Sequence, residues 1–274
     1  MPKTIIITGA SDGVGAAAAR QLRRNGHHVV VVGRSARKTQ AVAREIGADH
    51  YQADFAHLEE VRQLAATLAA AYPSIDVLAN NAGGYFAERA ETADGFERTF
   101  QINHLAPFLL TRLLLNKLTL SRAAVIQTAS AGARMGRLDR DDIEHAGNFN
   151  PRVAYATAKL TTILFTQELH RRFHPRGVSS AAFHPGTVAT NFASDASGYL
   201  RLMYGSRLFR SLMTTPDKAA RHLVWLAEST PGADWESGRY YQNQKPRVIS
   251  PQMRDSHLAR QLWDYTEKSL DNWL

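Results

Sequence analysis

Cysteine is absent from all 274 residues. Disulfides, thiolate metal sites and cysteine nucleophiles are therefore excluded, while the compartment stays open. No apolar run approaches the length of a membrane span. No signal peptide is expected either, since Met1-Pro2-Lys3 runs straight into the strand-like Thr4-Ile5-Ile6-Ile7. A soluble, cytoplasmic protein is expected. No basic block interleaves with aromatic residues. The net charge of +8, from 33 basic and 25 acidic residues, is carried by scattered arginines such as Arg20, Arg171 and Arg207. That pattern fits solvated helix faces, not a nucleic-acid partner, and its positive field would favour an anionic cofactor. The 11 histidines raise no expectation of a catalytic metal. Internal repeats are lacking.

What is present is an ordinary globular balance, 44% hydrophobic and 21% charged, in a chain long enough for one large α/β domain. Within it, Tyr155-Ala156-Thr157-Ala158-Lys159 places a phenol and an ammonium four residues apart, on one face of a helix. A fixed ammonium stabilises a phenolate and brings a poor proton shuttle toward neutral pH. Ser130 ends the apolar run Ala124–Ala129, which reads as a buried strand. Its hydroxyl would emerge at the carboxyl end of a parallel sheet, where such sheets bind ligands. The three residues suggest a proton-transfer site in which Ser130 binds a carbonyl.

The N-terminal half alternates strands and helices. Thr4–Thr8 is a β-branched run leading into Thr8-Gly9-Ala10-Ser11-Asp12-Gly13-Val14-Gly15, and Ala16–Arg24 is a strong helix former. Strand, glycine-rich turn and helix form the layout of a dinucleotide-binding turn, with the pyrophosphate at the helix N-terminus. His28–Gly33 is a second buried strand, followed by Arg34, Ser35, Arg37 and Lys38 and by no acid until Glu45. An acid there would bind a free ribose 2′-hydroxyl, whereas Arg34 suits a 2′-phosphate, so NADP (NADPH) is preferred to NAD. A helix over Gln40–Ile46, a strand over Ala48–Ala53 ending at Asp54, a helix over Leu58–Tyr72 and a strand over Ile75–Asn80 continue the rhythm of a doubly wound parallel sheet.

These motifs resemble the short-chain dehydrogenase/reductase family. The matching residues are Thr8-Gly9-x-x-x-Gly13-x-Gly15, Asp54, Asn80-Asn81-Ala82-Gly83, Asn103, Ser130, Tyr155-x-x-x-Lys159 and Pro185-Gly186-x-Val188-x-Thr190. They run in the family's order from the first strand to about residue 190. Asn103–Thr111, Phe165–Leu169, His184-Pro185-Gly186, Ser237–Tyr241, Ser250-Pro251 and Leu262-Trp263 further resemble its retinol-dehydrogenase-like branch. So does the long, acidic segment between Ser130 and Tyr155.

The resemblance implies one Rossmann-type domain over residues 1–274, a seven-stranded parallel sheet with helices on both faces. It implies Tyr155 as general acid, Lys159 lowering its pKa and binding the nicotinamide ribose, Ser130 polarising the carbonyl, and Asn103 holding a relay water. Gly9, Ser11, Asp12, Gly13, Val14 and Gly15 would line the phosphates. Arg34 and Ser35 would take the 2′-phosphate end, and Asp54 and Phe55 would flank the adenine. Asn81, Ala82 and Gly83 would line the cofactor; Pro185, Gly186, Val188 and Thr190 would wrap the nicotinamide. Asp12 is a departure, since an acid beside phosphates is awkward unless it turns outward. The Thr128-Ala129 before Ser130 is a second, where a serine pair is common. The family often dimerises through helices that would start near residues 94 and 151; nothing in this sequence decides whether this chain does.

Asn191–Thr215 breaks the rhythm with Tyr199, Leu202, Met203, Phe209 and other large apolar residues. It reads as a substrate lid or as an amphipathic helix completing the core; a lid would imply a bulky, apolar substrate. Thr215-Pro216 opens another helix, Gly238–Gln242 reads as the seventh strand, and Ser256–Leu270 as the last helix. The expected activity is an NADPH-dependent ketoreductase acting on a lipophilic ketone or aldehyde. The alternatives are an alcohol dehydrogenase working oxidatively and, against the intact relay residues, a non-catalytic NADP(H)-sensing protein. Sugar-nucleotide epimerase chemistry fits the glycine spacing poorly.

Overall fold

The three-dimensional structure, a computed structural model, describes residues 1–139, 141–145, 147, 149–186 and 214–274. Its centre is a sheet in the order β3-β2-β1-β4-β5-β6-β7-β8. The strands are β1 (Thr4–Thr8), β2 (His28–Gly33), β3 (Asp49–Gln52), β4 (Val77–Asn80), β5 (Ala124–Thr128), β6 (Ser179–Phe183), β7 (Arg239–Gln242) and β8 (Lys245–Pro246). The first seven pair in parallel and β8 is antiparallel to β7.

Continuous β-branched runs form β1 and β2, and small or apolar residues fill much of β4, β5 and β6, because both faces of the sheet are covered. Successive side chains of β1 point to opposite sides. Ile6 joins the core under α3 (Leu58–Ala71), α5 (Ala106–Leu113) and α7 (Pro151–Phe173). Ile5 and Ile7 join the core under α1 (Gly13–Arg24), α2 (Ala36–Ile46) and α8 (Pro216–Glu228). The alanines of α1 let that helix lie close to the sheet. After β3 the chain crosses from one side of β1 to the other, so the sheet's topological switch lies between β1 and β4. Ligands of open α/β sheets bind at the carboxyl ends beside such a switch.

Two expectations shift. The sheet has an eighth strand because Asn243 and Gln244 adopt φ of 52° and 59°, closing a two-residue hairpin after β7. The polar Gln242–Lys245 stretch has no glycine to announce that turn, and Pro246 confines β8 to an edge. Helix α2 begins at Ala36 rather than near Gln40, because Ser35 caps it and the Thr39 hydroxyl donates to the Ser35 carbonyl. Lys38 is thereby drawn into the first turn of a helix. Much of the lid segment lies outside the described residues. Among the described residues no helix is long and apolar enough to cross a membrane.

The C-terminal helix α9 (Ser256–Ser269) seats Trp263 against Phe108 and Phe165, with ring centroids 4.8 and 5.8 Å away. The guanidinium of Arg172 lies 4.8 Å over the indole. Trp263 is 2% exposed. Trp263→Ala is expected to cost about 3–5 kcal/mol in urea unfolding. Trp263→Phe should cost markedly less, because part of the aromatic packing is kept.

Candidate active site

A cleft of about 700 Å³ opens at the carboxyl ends of the strands around the switch point. Its floor is held by one threonine and one asparagine. The Thr8 hydroxyl accepts from the backbone N–H groups of Asn81 and Ala82, each at 3.0 Å. The Asn81 amide donates to the carbonyls of Thr8 and Gly9, and its Oδ1 accepts from the Thr128 hydroxyl at 3.1 Å. Asn81 thus staples the ends of β1, β4 and β5, and its side-chain capacity is largely used within the protein. Close approach forces the glycines. A Cβ on Gly9, at φ +64°, would sit 2.7 Å from Ala82 Cα, and one on Gly15 would sit 2.5 Å from the Gly9 carbonyl oxygen.

At one end of the cleft stand Arg34, Ser35, Asp54 and Phe55, with Ser11, Asp12, Gly13 and Val14 along the glycine turn. Asp12 caps α1, accepting from Gly13 N–H at 2.7 Å, and pairs with Lys38 Nζ at 3.1 Å. The acid that looked awkward is therefore countered by a lysine from the neighbouring helix. Asp54 Oδ1 accepts from Ala56 N–H in a tight turn.

At the other end, Tyr155 and Lys159 lie one turn apart on α7, which starts at Pro151 behind an Asn150 cap. Lys159 Nζ is 5.8 Å from the Tyr155 ring centroid and donates to the Thr128 carbonyl at 3.0 Å. Lys159 is only 3% exposed, and burial pushes its ammonium down to about 8. Ser130 Oγ accepts from Gly132 N–H at 3.0 Å, capping the short 3₁₀ turn Ala131–Met135. A Cβ built on Gly132 would lie 3.3 Å from Ser130 Oγ and 3.9 Å from a Tyr155 ring carbon, so serine and tyrosine flank the same point.

Asn103 stands just behind this group, in the π-helical turn Gln101–Leu105 between α4 (Arg98–Phe100) and α5. Its amide donates to the carbonyls of Gly84 and Thr99, and its Oδ1 accepts from Gly84 N–H at 3.2 Å. One Oδ1 lone pair is left over from these bonds. The would-be Cβ of Gly83 is 2.6 Å from that Oδ1 and 3.2 Å from Lys159 Nζ, so Gly83 separates the two polar atoms. His104 anchors the turn to Thr266 of α9 at 2.9 Å, and burial holds its imidazole down to about 3.

Most of the residues singled out from the sequence meet in this cleft, Ala82, Gly83, Pro185 and Gly186 included. Asn103 and Gly15 stand behind the lining. Val188 and Thr190 lie outside the described residues. The sequence reading gave no place in the site to the lining residues Lys38, Tyr85, Phe86 and His184. Lys38 stands in the first turn of α2, four residues after Arg34, Tyr85 and Phe86 follow the Gly83-Gly84 turn, and His184 directly follows β6. Tyr85 packs edge-on against Tyr155 with ring centroids 5.8 Å apart. One histidine spacing was also missed: His170 and His174 stand four apart and stack at 4.6 Å. Among the described residues no group of three or more potential metal ligands forms.

The family model for the short chain dehydrogenases matches residues 3–198. The chain belongs to the short-chain dehydrogenase/reductase family. It is 38% identical over 271 residues to a Streptomyces sp. (strain C5) protein named "Putative daunorubicin C-13 ketoreductase DnrU", with 96% of this chain and 90% of that one covered. Human retinol dehydrogenase 13 is 35% identical over 273 residues, covering 95% and 82%. A crystal structure of an uncharacterized protein from Mycobacterium paratuberculosis superposes with a TM-score of 0.79 at 30% identity, covering 99% and 96%. The chain is thus an oxidoreductase of the retinol-dehydrogenase-like branch, in a family that binds a nicotinamide cofactor and acts on a small molecule. The cleft fits that cofactor: side-chain-free glycines at a helix N-terminus suit a pyrophosphate, and cations stand at one end with a phenol and an amine at the other.

The buried ammonium has a cost in stability. Below pH about 8 the folded and unfolded states both hold the proton, and the desolvation penalty applies in full. Between that value and 10.5 the unfolded chain binds more protons, so this contribution to stability rises with pH until the penalty is gone. Lys159→Met is expected to be more stable than the parent by about 1–3 kcal/mol near pH 7, with the gap closing near pH 10. Urea unfolding at both pH values checks it.

Proposed function

We propose that the chain is an NADPH-dependent ketoreductase that reduces a lipophilic ketone or aldehyde. The observation that carries this is the convergence of Ser130 and Tyr155 on the space above Gly132, with the Lys159 ammonium one helical turn behind the phenol. Ser130 Oγ already accepts from Gly132 N–H, which leaves its own hydrogen for the substrate carbonyl oxygen. The Tyr155 hydroxyl then gives that oxygen its proton, and the Lys159 ammonium stabilises the phenolate that remains. When bound, the nicotinamide supplies the hydride that reduces the carbonyl carbon. Asn103 orders the Gly83-Gly84 turn beside Lys159 and, through the remaining lone pair of Oδ1, holds a water that returns the proton.

The preference for NADPH rests on Arg34, with Lys38 beside it in the cleft and no carboxylate at the end of β2. The lipophilic substrate rests on the aromatic wall of Tyr85 and Phe86. The same residues run the reverse reaction, with Tyr155 as base; the likeness to human retinol dehydrogenase 13 supports that oxidative reading as the second choice.

Purified protein should oxidise NADPH with members of a panel of aldehydes and ketones of rising size, followed by NADPH absorbance. Tyr155→Phe should lower turnover by roughly 10²–10⁴-fold while leaving NADPH affinity almost unchanged. Unchanged turnover would remove the phenol from the reaction. Arg34→Ala should weaken NADPH by about 10–100-fold and leave NADH nearly untouched, measured by cofactor fluorescence. Equal weakening of both would remove the 2′-phosphate from its role.

A further inference from the structure

His184 directly follows β6, immediately before Pro185-Gly186, and forms part of the cleft wall. Its backbone is held by the sheet: His184 N–H donates to the Tyr241 carbonyl at 2.9 Å. Its imidazole reaches sideways to the turn that carries Ser130, where Ala131 N–H donates to His184 Nδ1 at 3.2 Å. One residue earlier, Ala129 N–H donates to the Phe183 carbonyl at 2.9 Å. Ser130 is thus bracketed by two bonds to the end of β6, one to its backbone and one to a side chain. The next amide, Gly132 N–H, donates to Ser130 Oγ.

The protonation state of His184 follows from this geometry. A ring nitrogen that accepts from a backbone N–H carries no proton, so the imidazole is neutral with its hydrogen on Nε2. An imidazolium would set two donors against each other at Ala131. Burial and the nearby His222 both hold the His184 ring down to about 4, in keeping with that requirement. The same peptide's carbonyl, that of Ser130, accepts from Ala133 N–H at 3.1 Å. Without the Nδ1 acceptor, Ala131 N–H would lose its partner, and the peptide joining Ser130 to Ala131 would lose one of the two bonds that fix its plane. That plane aims the Ser130 Cα–Cβ bond.

We infer that His184 is a positioning residue for the reduction: as a neutral Nδ1 acceptor it fixes the N–H side of the peptide after Ser130, whose carbonyl side Ala133 holds, and so helps aim the serine hydroxyl at the carbonyl site. The inference rests on the proposed carbonyl-binding role of Ser130. Asparagine places an amide oxygen close to where Nδ1 stands, whereas leucine fills similar volume and accepts nothing.

The test has two arms. In the protein free of cofactor, nitrogen chemical shifts of ¹⁵N-labelled histidine should show His184, assigned by its loss in His184→Asn, as the Nε2–H tautomer at neutral pH. An imidazolium or an Nδ1–H tautomer would overturn the inference. The second arm uses the fastest aldehyde or ketone of the panel. His184→Leu should lower kcat on the order of ten- to a hundredfold with NADPH affinity retained, and His184→Asn should recover most of that loss. In a Ser130→Ala background, His184→Leu should bring almost no further loss, because its effect passes through the serine hydroxyl. Full additivity of the two substitutions, or equal loss in the asparagine and leucine variants, would overturn it. If Ser130→Ala alone kept full turnover, the carbonyl-binding role of Ser130 would fail first, whereas a loss in Ser130→Ala with none in His184→Leu would sink this inference alone.

Discussion

An ammonium buried at the end of a parallel sheet is the constraint around which this protein is built. Lys159 is 3% exposed and holds the Thr128 carbonyl, while the strand ends and the Gly83-Gly84 turn close around it. Water solvates an ammonium far better than a protein interior does, so burial costs stability in the ligand-free chain. Little solvent screens the charge of a lysine lifted out of water, and the Tyr155 ring centroid lies 5.8 Å from its Nζ. On the proposed reading, the residue that costs the fold stability is the one that holds the phenolate, in a site whose other groups keep that residue in place.

The surrounding parts serve this arrangement through backbone contacts. Thr8 and Asn81 tie β1, β4 and β5 together at their carboxyl ends, so the Thr128 carbonyl that receives Lys159 belongs to a rigid edge. Asn103 grips both the N–H and the carbonyl of Gly84 from a π-helical turn, and His104 of the same turn is anchored to the C-terminal helix. A chain of packed contacts therefore runs from Thr266 to the amine. At the far end of the cleft the logic is looser and more exposed. Asp12 and Lys38 are both about half exposed, so their pair is screened by solvent and contributes little to folding. It does keep an acid at the glycine turn from standing alone.

Much of this was legible in the chain. The β-branched runs of β1 and β2, the glycines between β1 and α1, and Tyr155 with Lys159 each carry a local signal whose physical meaning does not depend on distant residues. The family resemblance followed from their order, and the matched residues 3–198 bear it out. Less visible were features made by packing between distant segments. Lys38 enters the cleft because Ser35 starts α2 early. Tyr85 meets Tyr155 from 70 positions away in the chain, and His184 reaches Ala131 from 53. The β7–β8 hairpin escaped notice because Asn243 and Gln244 accept positive φ without a glycine to mark it.

Sequence by itself determined the class of fold, the family and the placement of Tyr155 and Lys159 on one helical face, because periodicity, turn chemistry and helical spacing act over a few residues. Only the tertiary structure decided how those residues are held: that Asn81 and Asn103 bond chiefly to backbone, that Asp12 has a lysine partner, and that the Lys159 ammonium is almost sealed from water. Burial, and hydrogen bonds between segments far apart in the chain, arise when the sheet assembles and brings its strand ends together. No local pattern of residues contains them.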